Sequence, residues 1–491
     1  MVVPITVTRT GVELAFTSLN SEVEIDNLPV EGEIPHWLHG CLYRNGSAKF
    51  DIGRVSYNHW FDGLAMVHRY AFHKGRVAYR NRFLRTSPYI QMMSTGQLSS
   101  GFETVQPTSL ANRILRMTLD AIGYRTGQTY NTNVSFMHLD GKFLALTEQP
   151  VPTIFDPISL ETQGAFYFSD RLFGHLSCGH PQYDYQNQEY INYLTCFGPI
   201  NTYNLYRIKA TSDRRELIAR IPVRDPCYMH SFALTENFII LVEFPLIIKS
   251  MKAILSGKAP MHCLSWEPQR GTNFLVIDKR TGKQVVRFTS KAFFAFHHIN
   301  AYEQGDEILI DIAASDRPDL MYKSYLNLLR NATRSEDHPL AEYRRYHLPL
   351  HKPVHSSDVD YELLSDRKIE MVCINHARCS SRHYRYAYAV SHNRDWPTLV
   401  GQLLKIDVHN RNTKGWFDPN TYPGEPIFVA APNAKDEDDG AILSVVLDAV
   451  RQRSFLLVLD ASSFKELGRA YLPHHIPLEF HGLFANADPE I

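Results

Sequence analysis

The chain has 491 residues, of which 44% are hydrophobic and 21% charged, with 51 basic against 52 acidic side chains. Such a composition is that of an ordinary globular protein, and the near-neutral balance leaves neither an electrostatic footprint for nucleic acid nor a long-range pull toward an anionic membrane. The seven cysteines are scattered with no C-x-x-C pair, which argues against a disulfide framework or a zinc ribbon and fits a reducing compartment.

The first residues, MVVPITVTRTGVELAF, show no charged start followed by a long apolar core, so no secretory signal is expected. No run of eighteen apolar residues predicts a membrane-spanning helix, and a cytoplasmic location is the expectation. From about residue 40 onward short β-rich runs recur, among them FLALTE (143–148), YINYLTCF (190–197), FIILVEF (238–244), NFLVID (273–278), EILIDIAA (307–314), AILSVVL (441–447) and SFLLVLD (454–460). Turn signals lie at Asp140-Gly141, Thr281-Gly282-Lys283 and Asp439-Gly440. Many short strands at this spacing predict an all-β barrel, sandwich or propeller. No WD or kelch repeat is visible, although seven blades of about 40–50 residues fit within the length.

Three segments read as helices: 109–123, 244–257 and 319–332. The second puts Leu246, Ile247, Met251, Ile254 and Leu255 near one face and Lys249, Lys252 and Lys258 elsewhere. A basic amphipathic helix of this kind either lies in a membrane interface or packs on the body of the protein. No linker or low-complexity tract interrupts the chain, so residues 1–491 read as one domain with insertions.

Of the 23 histidines most must be structural, because a lone histidine in a strand is more often a hydrogen-bonded core residue than a ligand. There is no H-E-x-x-H, no H-x-E…C-x-x-C and no G-x-S-x-G, and spacing alone carries almost no metal signal. Four histidines stand out by their setting, in CGHPQYD (178–184), YMHSFALTEN (228–237), FAFHHINAYE (294–303) and EFHGLF (479–484). Each stretch resembles one of the four metal-binding motifs of the carotenoid cleavage oxygenase family. That family includes carotenoid and apocarotenoid dioxygenases, stilbene-cleaving enzymes and the retinoid isomerohydrolase of the visual cycle. The likeness continues in order through LHGCLYRNGSAKF (38–50), HWFDGLAMVHRY (59–70), YNTNVSF (130–136), RRYHLPL (344–350), GEPIFVAAP (424–432) and EDDGAILSVV (437–446).

The resemblance implies a seven-bladed β-propeller with iron on its axis and a helical cap, for which 109–123 and 244–257 are the candidate segments. It implies one Fe(II) per chain, held by His180, His230, His297 and His481, with O2 as co-substrate. Neutral imidazoles with open coordination positions suit that chemistry. In FHHIN, strand alternation sends His297 and His298 to opposite faces, and the family motif places the ligand first, at His297. Three glutamates follow by the same resemblance: Glu148 supports His230, Glu370 supports His297 and Glu425 supports His481, leaving His180 without a carboxylate. Thr132 matches a residue flanking an open iron position, and Phe102 and Tyr322 match tunnel-lining aromatics. His474, His475, His59 and Asp62 read as structural.

The activity implied is cleavage of one C=C bond of a carotenoid or apocarotenoid to two carbonyl products. The implied partners are a hydrophobic polyene and a membrane surface on which the protein docks peripherally, with no nucleic acid. Retinoid isomerohydrolysis, stilbene cleavage and a metal-free binding platform are the rivals. One departure stands out. Animal-type members carry a PDPCK loop where this chain reads GFETVQPTSLANRI (101–114), so a retinoid isomerohydrolase of that type is not expected.

Overall fold

A computed structural model of the chain describes residues 11–105, 127–249, 257–332, 337–351, 355–356, 359–393 and 400–486. Its strands pair almost wholly with their neighbours in sequence, in a succession of antiparallel sheets. The first sheet runs, in spatial order, Glu24–Ile25, Arg76–Phe83, Leu64–His73, Gly40–Lys49 and Gly482–Ala485. The second is Thr162–Ala165, Thr153–Phe155, Lys142–Leu146 and Ser135–Leu139. The third is built on Glu189–Cys196, Asn201–Lys209 and Glu216–Val223, with Leu176–Ser177 and Gln182–Asp184 both on its inner edge. Ala233–Leu234, Phe238–Glu243, Thr272–Asp278 and Gln284–Ser290 form the core of the fourth.

A seven-stranded sheet follows, from Phe294–Gln304 to Asn412–Trp416. It changes partner within the strand Tyr361–Cys373: residues 361–369 pair with Ala341–Pro349, whereas Glu370 and Cys373 pair with Tyr386–Ser391. The last large sheet is formed by Gly440–Asp448, Arg453–Asp460 and Glu466–Tyr471. Two pairings join the chain ends. Val30–Gly32 adds to Glu466–Tyr471, and Gly482–Ala485 adds to Gly40–Lys49.

Local chemistry accounts for the hairpins. Lys74-Gly75 and Asp140-Gly141 both take positive φ, the two-residue turn whose twist matches the flanking strands. Burial falls from the inside of a sheet outward. Gly40–Lys49 and Leu64–His73 are buried on both faces nearly throughout, whereas Glu216–Val223, an outermost strand, is mostly exposed or half-buried. Strands buried on both faces read as continuous apolar runs rather than as alternation.

The helical expectations meet three outcomes. Segment 319–332 holds two short helices, Asp319–Lys323 and Leu326–Leu329. Segment 109–123 lies outside the described residues. Segment 244–257 opens not as a helix but as a strand, Leu246–Ile248, paired with Leu264–Trp266, and its residues 250–256 lie outside the described part. Leu246 is fully buried and Ile247 is 1% exposed, so they cannot form an outward apolar face. Among the described residues no helix is long and apolar enough to cross a membrane.

Candidate metal centre

Four histidines at the edges of four sheets meet at one point. His180 lies between the inner strands Leu176–Ser177 and Gln182–Asp184, and His230 shortly before Ala233–Leu234. His297 lies within Phe294–Gln304, and His481 immediately before Gly482–Ala485. Among the described residues these four form a group able to hold a metal ion, one ring nitrogen from each lying within 4.8 Å of all the others. The Nε2 atoms of His180 and His230 are 2.9 Å apart, and those of His297 and His481 are 3.2 Å apart.

The carboxylates decide what those short distances mean. Glu148 Oε1 accepts from His230 Nδ1, Glu370 Oε2 from His297 Nδ1 and Glu425 Oε1 from His481 Nδ1, each at 2.7 Å. Each bond puts the ring proton on Nδ1 and leaves Nε2 a bare lone pair turned inward. His297 and His481 therefore cannot hydrogen-bond each other; two lone pairs would face across 3.2 Å. Charging the rings does not relieve this. Burial first, then the neighbouring histidines, holds the pKa values of His180 and His481 well below the usual histidine range. A cation between the nitrogens does relieve it. With metal–nitrogen bonds of about 2.1 Å, ligands at right angles stand about 3.0 Å apart, and the two measured pairs bracket that spacing. Four neutral imidazoles thus fit a borderline transition metal.

No carboxylate pairs with His180 among the described residues. Its backbone is held instead by Cys178, whose Sγ lies 3.4 Å from the His180 amide nitrogen and 3.0 Å from the His230 carbonyl oxygen. His298 points away from the cage. A bulge interrupts pairing on both sides of it, its Nδ1 lies 2.7 Å from Ser231 Oγ, and that hydroxyl donates to the Phe296 carbonyl at 2.6 Å.

Several residues of the site escaped the sequence reading. Arg44 is 1% exposed, and its guanidinium donates to Glu425 Oε2 at 2.5 Å, to Glu479 Oε2 at 3.3 Å and to the Phe480 carbonyl at 3.2 Å. Asn45 exchanges backbone bonds with the Phe480–His481 segment, at 2.9 Å each way, and its side chain donates to the Thr132 carbonyl at 2.9 Å. The available signal was the arginine that follows the apolar run CLY in CLYRNGSAKF, since a buried arginine is rare unless paired.

A cavity of about 650 Å³ opens beside the cage, with His230, His297 and His481 on its wall. It lies between two apolar clusters: Tyr228, Phe296 and Leu264 belong to or pack on one, Trp60, Leu340, Val400 and Phe480 belong to the other, and Phe61 packs against both. Phe102 lines it, 5.8 Å from Phe61 and 6.3 Å from Tyr228 by ring centroids. The Phe102 loop hangs on buried Asp62, which accepts from the amides of Phe102, Glu103 and Thr104; burial raises the Asp62 pKa to about 6. Tyr322 is exposed on its short helix and is not among the residues lining this cavity. Thr132 is fully buried and absent from the wall, although Asn131 and Asn133 beside it line it; among the described residues its Oγ1 has no hydrogen-bond partner. His59 caps a short 3-10 turn and joins Phe61 to Met321, and His474 binds Ser21 and Tyr79, both structural tasks.

This geometry can be set beside known proteins. Residues 16–486 match the family model described as Retinal pigment epithelial membrane protein. The chain is 33% identical over 514 residues to the mitochondrial carotenoid-cleaving dioxygenase of Macaca fascicularis, covering 93% of this chain and 91% of the relative. It is 30% identical over 505 residues to the beta,beta-carotene 15,15'-dioxygenase of Mus musculus, covering 93% and 88%. A solved structure of a mutant of the Synechocystis apocarotenoid oxygenase superposes with a TM-score of 0.84 at 23% identity, covering 98% of this chain and 99% of that one, a likeness of fold. The match over nearly the whole length, together with histidine motifs that meet in space, means that the chain belongs to this family, the carotenoid cleavage oxygenases.

Proposed function

We propose that the protein is an iron(II) dioxygenase that cleaves a C=C bond of a carotenoid or apocarotenoid into two carbonyl products. The observation that carries this is the set of four inward imidazoles, three with the proton fixed on Nδ1 by a glutamate. The names of the curated relatives support a polyene as substrate, and so does a wall rich in Trp60, Phe61, Phe102, Tyr228, Phe296 and Phe480. The large four- to six-stranded sheets, with the seven-stranded one divided within Tyr361–Cys373, support a reading as seven blades of one propeller domain, closed by Gly482–Ala485. A helical cap is part of the same proposal.

Iron bound in this cage supplies the activation of O2 that splits the double bond, both oxygen atoms leaving in the two carbonyls. The protein's own residues do the rest. Glu148, Glu370 and Glu425 hold three rings in one tautomer and one direction. The aromatic wall orients a single double bond of the polyene and excludes water. No side-chain acid or base is needed, and none is assigned. The hydrophobic substrate is drawn from a membrane on which the protein docks peripherally. Ile90 and Met93, 57% and 48% exposed on the helix Ser87–Thr95 whose Pro88 lines the cavity, support that docking face.

The test is iron-loaded protein incubated with a panel of carotenoids and apocarotenoids under isotopically labelled O2, with products identified by mass. Two carbonyl fragments, both labelled, are expected. A single isomerised product with no O2 uptake would sink the proposal.

A further inference from the structure

The cavity wall is largely apolar beyond the cage, yet it carries an imidazole that no side chain or backbone group among the described residues satisfies. His338 lies shortly before the strand Ala341–Pro349 and is 6% exposed. It lines the cavity, and among the described residues neither its Nδ1 nor its Nε2 has a hydrogen-bond partner. Its neighbours do not fill the need. Trp60, 6.4 Å away by ring centroids, spends its indole N–H on the Leu478 carbonyl at 3.2 Å. The His392 ring bonds the His338 carbonyl, at 3.0 Å, and not its imidazole. Leu340, Val390 and Val400, also on the wall, offer hydrocarbon alone.

Burial, with His392 and Lys323 adding to it, lowers the pKa of this imidazole to about 3. At neutral pH the ring therefore holds one N–H donor and one bare acceptor, both removed from water. Buried polar groups in native proteins are nearly always paired, and one facing a binding cavity is paired by what enters. A pure hydrocarbon can satisfy neither nitrogen. A hydroxyl, which both donates and accepts, suits either of them. The position also separates this group from the chemistry. Phe480, which precedes His481, packs on Trp60 at 4.8 Å, whereas His338 stands 6.4 Å from Trp60 and makes no ring contact with the four caged histidines among the described residues.

We infer that His338 is a specificity residue that hydrogen-bonds a hydroxyl carried on an end of the polyene away from the bond that is cleaved. The inference rests on the polyene reading above and adds to it that the preferred substrate is oxygenated. It concerns affinity and selection, so binding tests it independently of turnover.

The experiment measures dissociation constants without O2, by quenching of tryptophan fluorescence, on iron-loaded protein. The ligands are a carotenoid with unsubstituted end rings and its ring-hydroxylated counterpart; the proteins are wild type, His338→Leu and His338→Gln. Wild type should bind the hydroxylated polyene about 10–100-fold more tightly, the usual worth of making rather than stranding a buried hydrogen bond. In His338→Leu the ratio should collapse to within about twofold of one, and His338→Gln, which can still donate and accept, should keep part of it. Binding of the unsubstituted polyene reports that each variant is folded. A wild-type ratio near one, or a ratio unchanged in His338→Leu, would overturn the inference and assign the ring to packing or to a resident water. If the ratio collapses as expected but no polyene is cleaved under O2, the dioxygenase reading fails and the anchor stands.

Discussion

Glu148, Glu370 and Glu425 each accept from one histidine, but they do not use their oxygens alike. Glu148 receives His230 Nδ1 and the Tyr228 hydroxyl on the same oxygen, Oε1. Glu370 receives His297 Nδ1 and the Met371 amide on the same oxygen, Oε2. Glu425 uses both: Oε1 takes His481 Nδ1, while Oε2 takes Arg44 Nη1 at 2.5 Å and the Gly482 amide at 2.8 Å. A glutamine at 148 or 370 can keep its carbonyl toward both donors. A glutamine at 425 must turn its NH2 toward a donor whichever way it flips, and it removes the charge that faces buried Arg44, which among the described residues keeps the longer ion pair to Glu479 and the bond to the Phe480 carbonyl. Breaking a buried pair in this way costs about 3–5 kcal/mol. The unfolding entropy of 491 residues, at about 2.1 cal/mol/K each, is about 1 kcal/mol/K. Glu425→Gln should therefore lower the Tm of the metal-free protein by about 3–5 °C, while Glu148→Gln and Glu370→Gln should stay within about 1 °C of wild type. Iron affinity, measured by chelator competition, should fall roughly 10–100-fold in all three. Equal Tm losses in the three variants, with the chelator present, would refute the reasoning.

Within FHHIN, His297→Ala should abolish iron binding and His298→Ala should retain one iron per chain by elemental analysis; the reverse pattern would assign the ligand to the wrong ring. Leu246→Ser and Ile247→Ser should each destabilise the protein by at least the roughly 2–5 kcal/mol typical of truncating a buried aliphatic side chain, seen in denaturant melts. By contrast, Ile90→Ser with Met93→Ser should keep the Tm and weaken liposome binding, and persistence of full binding would place the docking face elsewhere. His59 is buried with its pKa lowered to about 4 from 6.5; the stability contributed by its neutral form is present above pH 6.5 and is lost as the pH falls toward 4. His59→Gln should flatten the dependence of unfolding free energy on pH across that window by up to about 1.4 kcal/mol per unit, and an unaltered slope would show that His59 does not carry it.

How much of this was legible before the structure differs from residue to residue. YINYLTCF, FIILVEF and SFLLVLD sit on the strands Glu189–Cys196, Phe238–Glu243 and Arg453–Asp460, because a short apolar run between turn residues is what a strand buried on both faces requires. The same logic explains the failure at 244–257. FPLIIK has adjacent apolar residues that fit a helix face as well as a short buried strand, and periodicity alone cannot arbitrate; pairing of Leu246–Ile248 with Leu264–Trp266 decides it. The four histidines were legible only through resemblance, since ligands drawn from different sheets have no fixed spacing. Arg44 and Cys178 were missed for a related reason. Their partners, Glu425 and His230, are distant in the chain, and only the fold brings them within reach.

That dependence on closure gives the site its logic. His481, the last of the four caged histidines, directly precedes Gly482–Ala485, the strand that closes the chain onto Gly40–Lys49. Arg44, on the receiving strand, grips Glu425, Glu479 and the Phe480 carbonyl, so it touches residues on both sides of the closing joint. The fit leaves no spare room. A Cβ on Gly482 would stand 2.7 Å from Arg44 Nη1, and one on Gly46 would stand 2.6 Å from the Glu479 Cα. The same contacts that pin the C-terminal strand thus aim the His481 ring through Glu425. Ligands so far apart in the chain cannot form a preformed site when it is unfolded, which makes metal affinity and fold stability one linked quantity. Weakening the joint should loosen the cage, and filling the cage should tighten the joint.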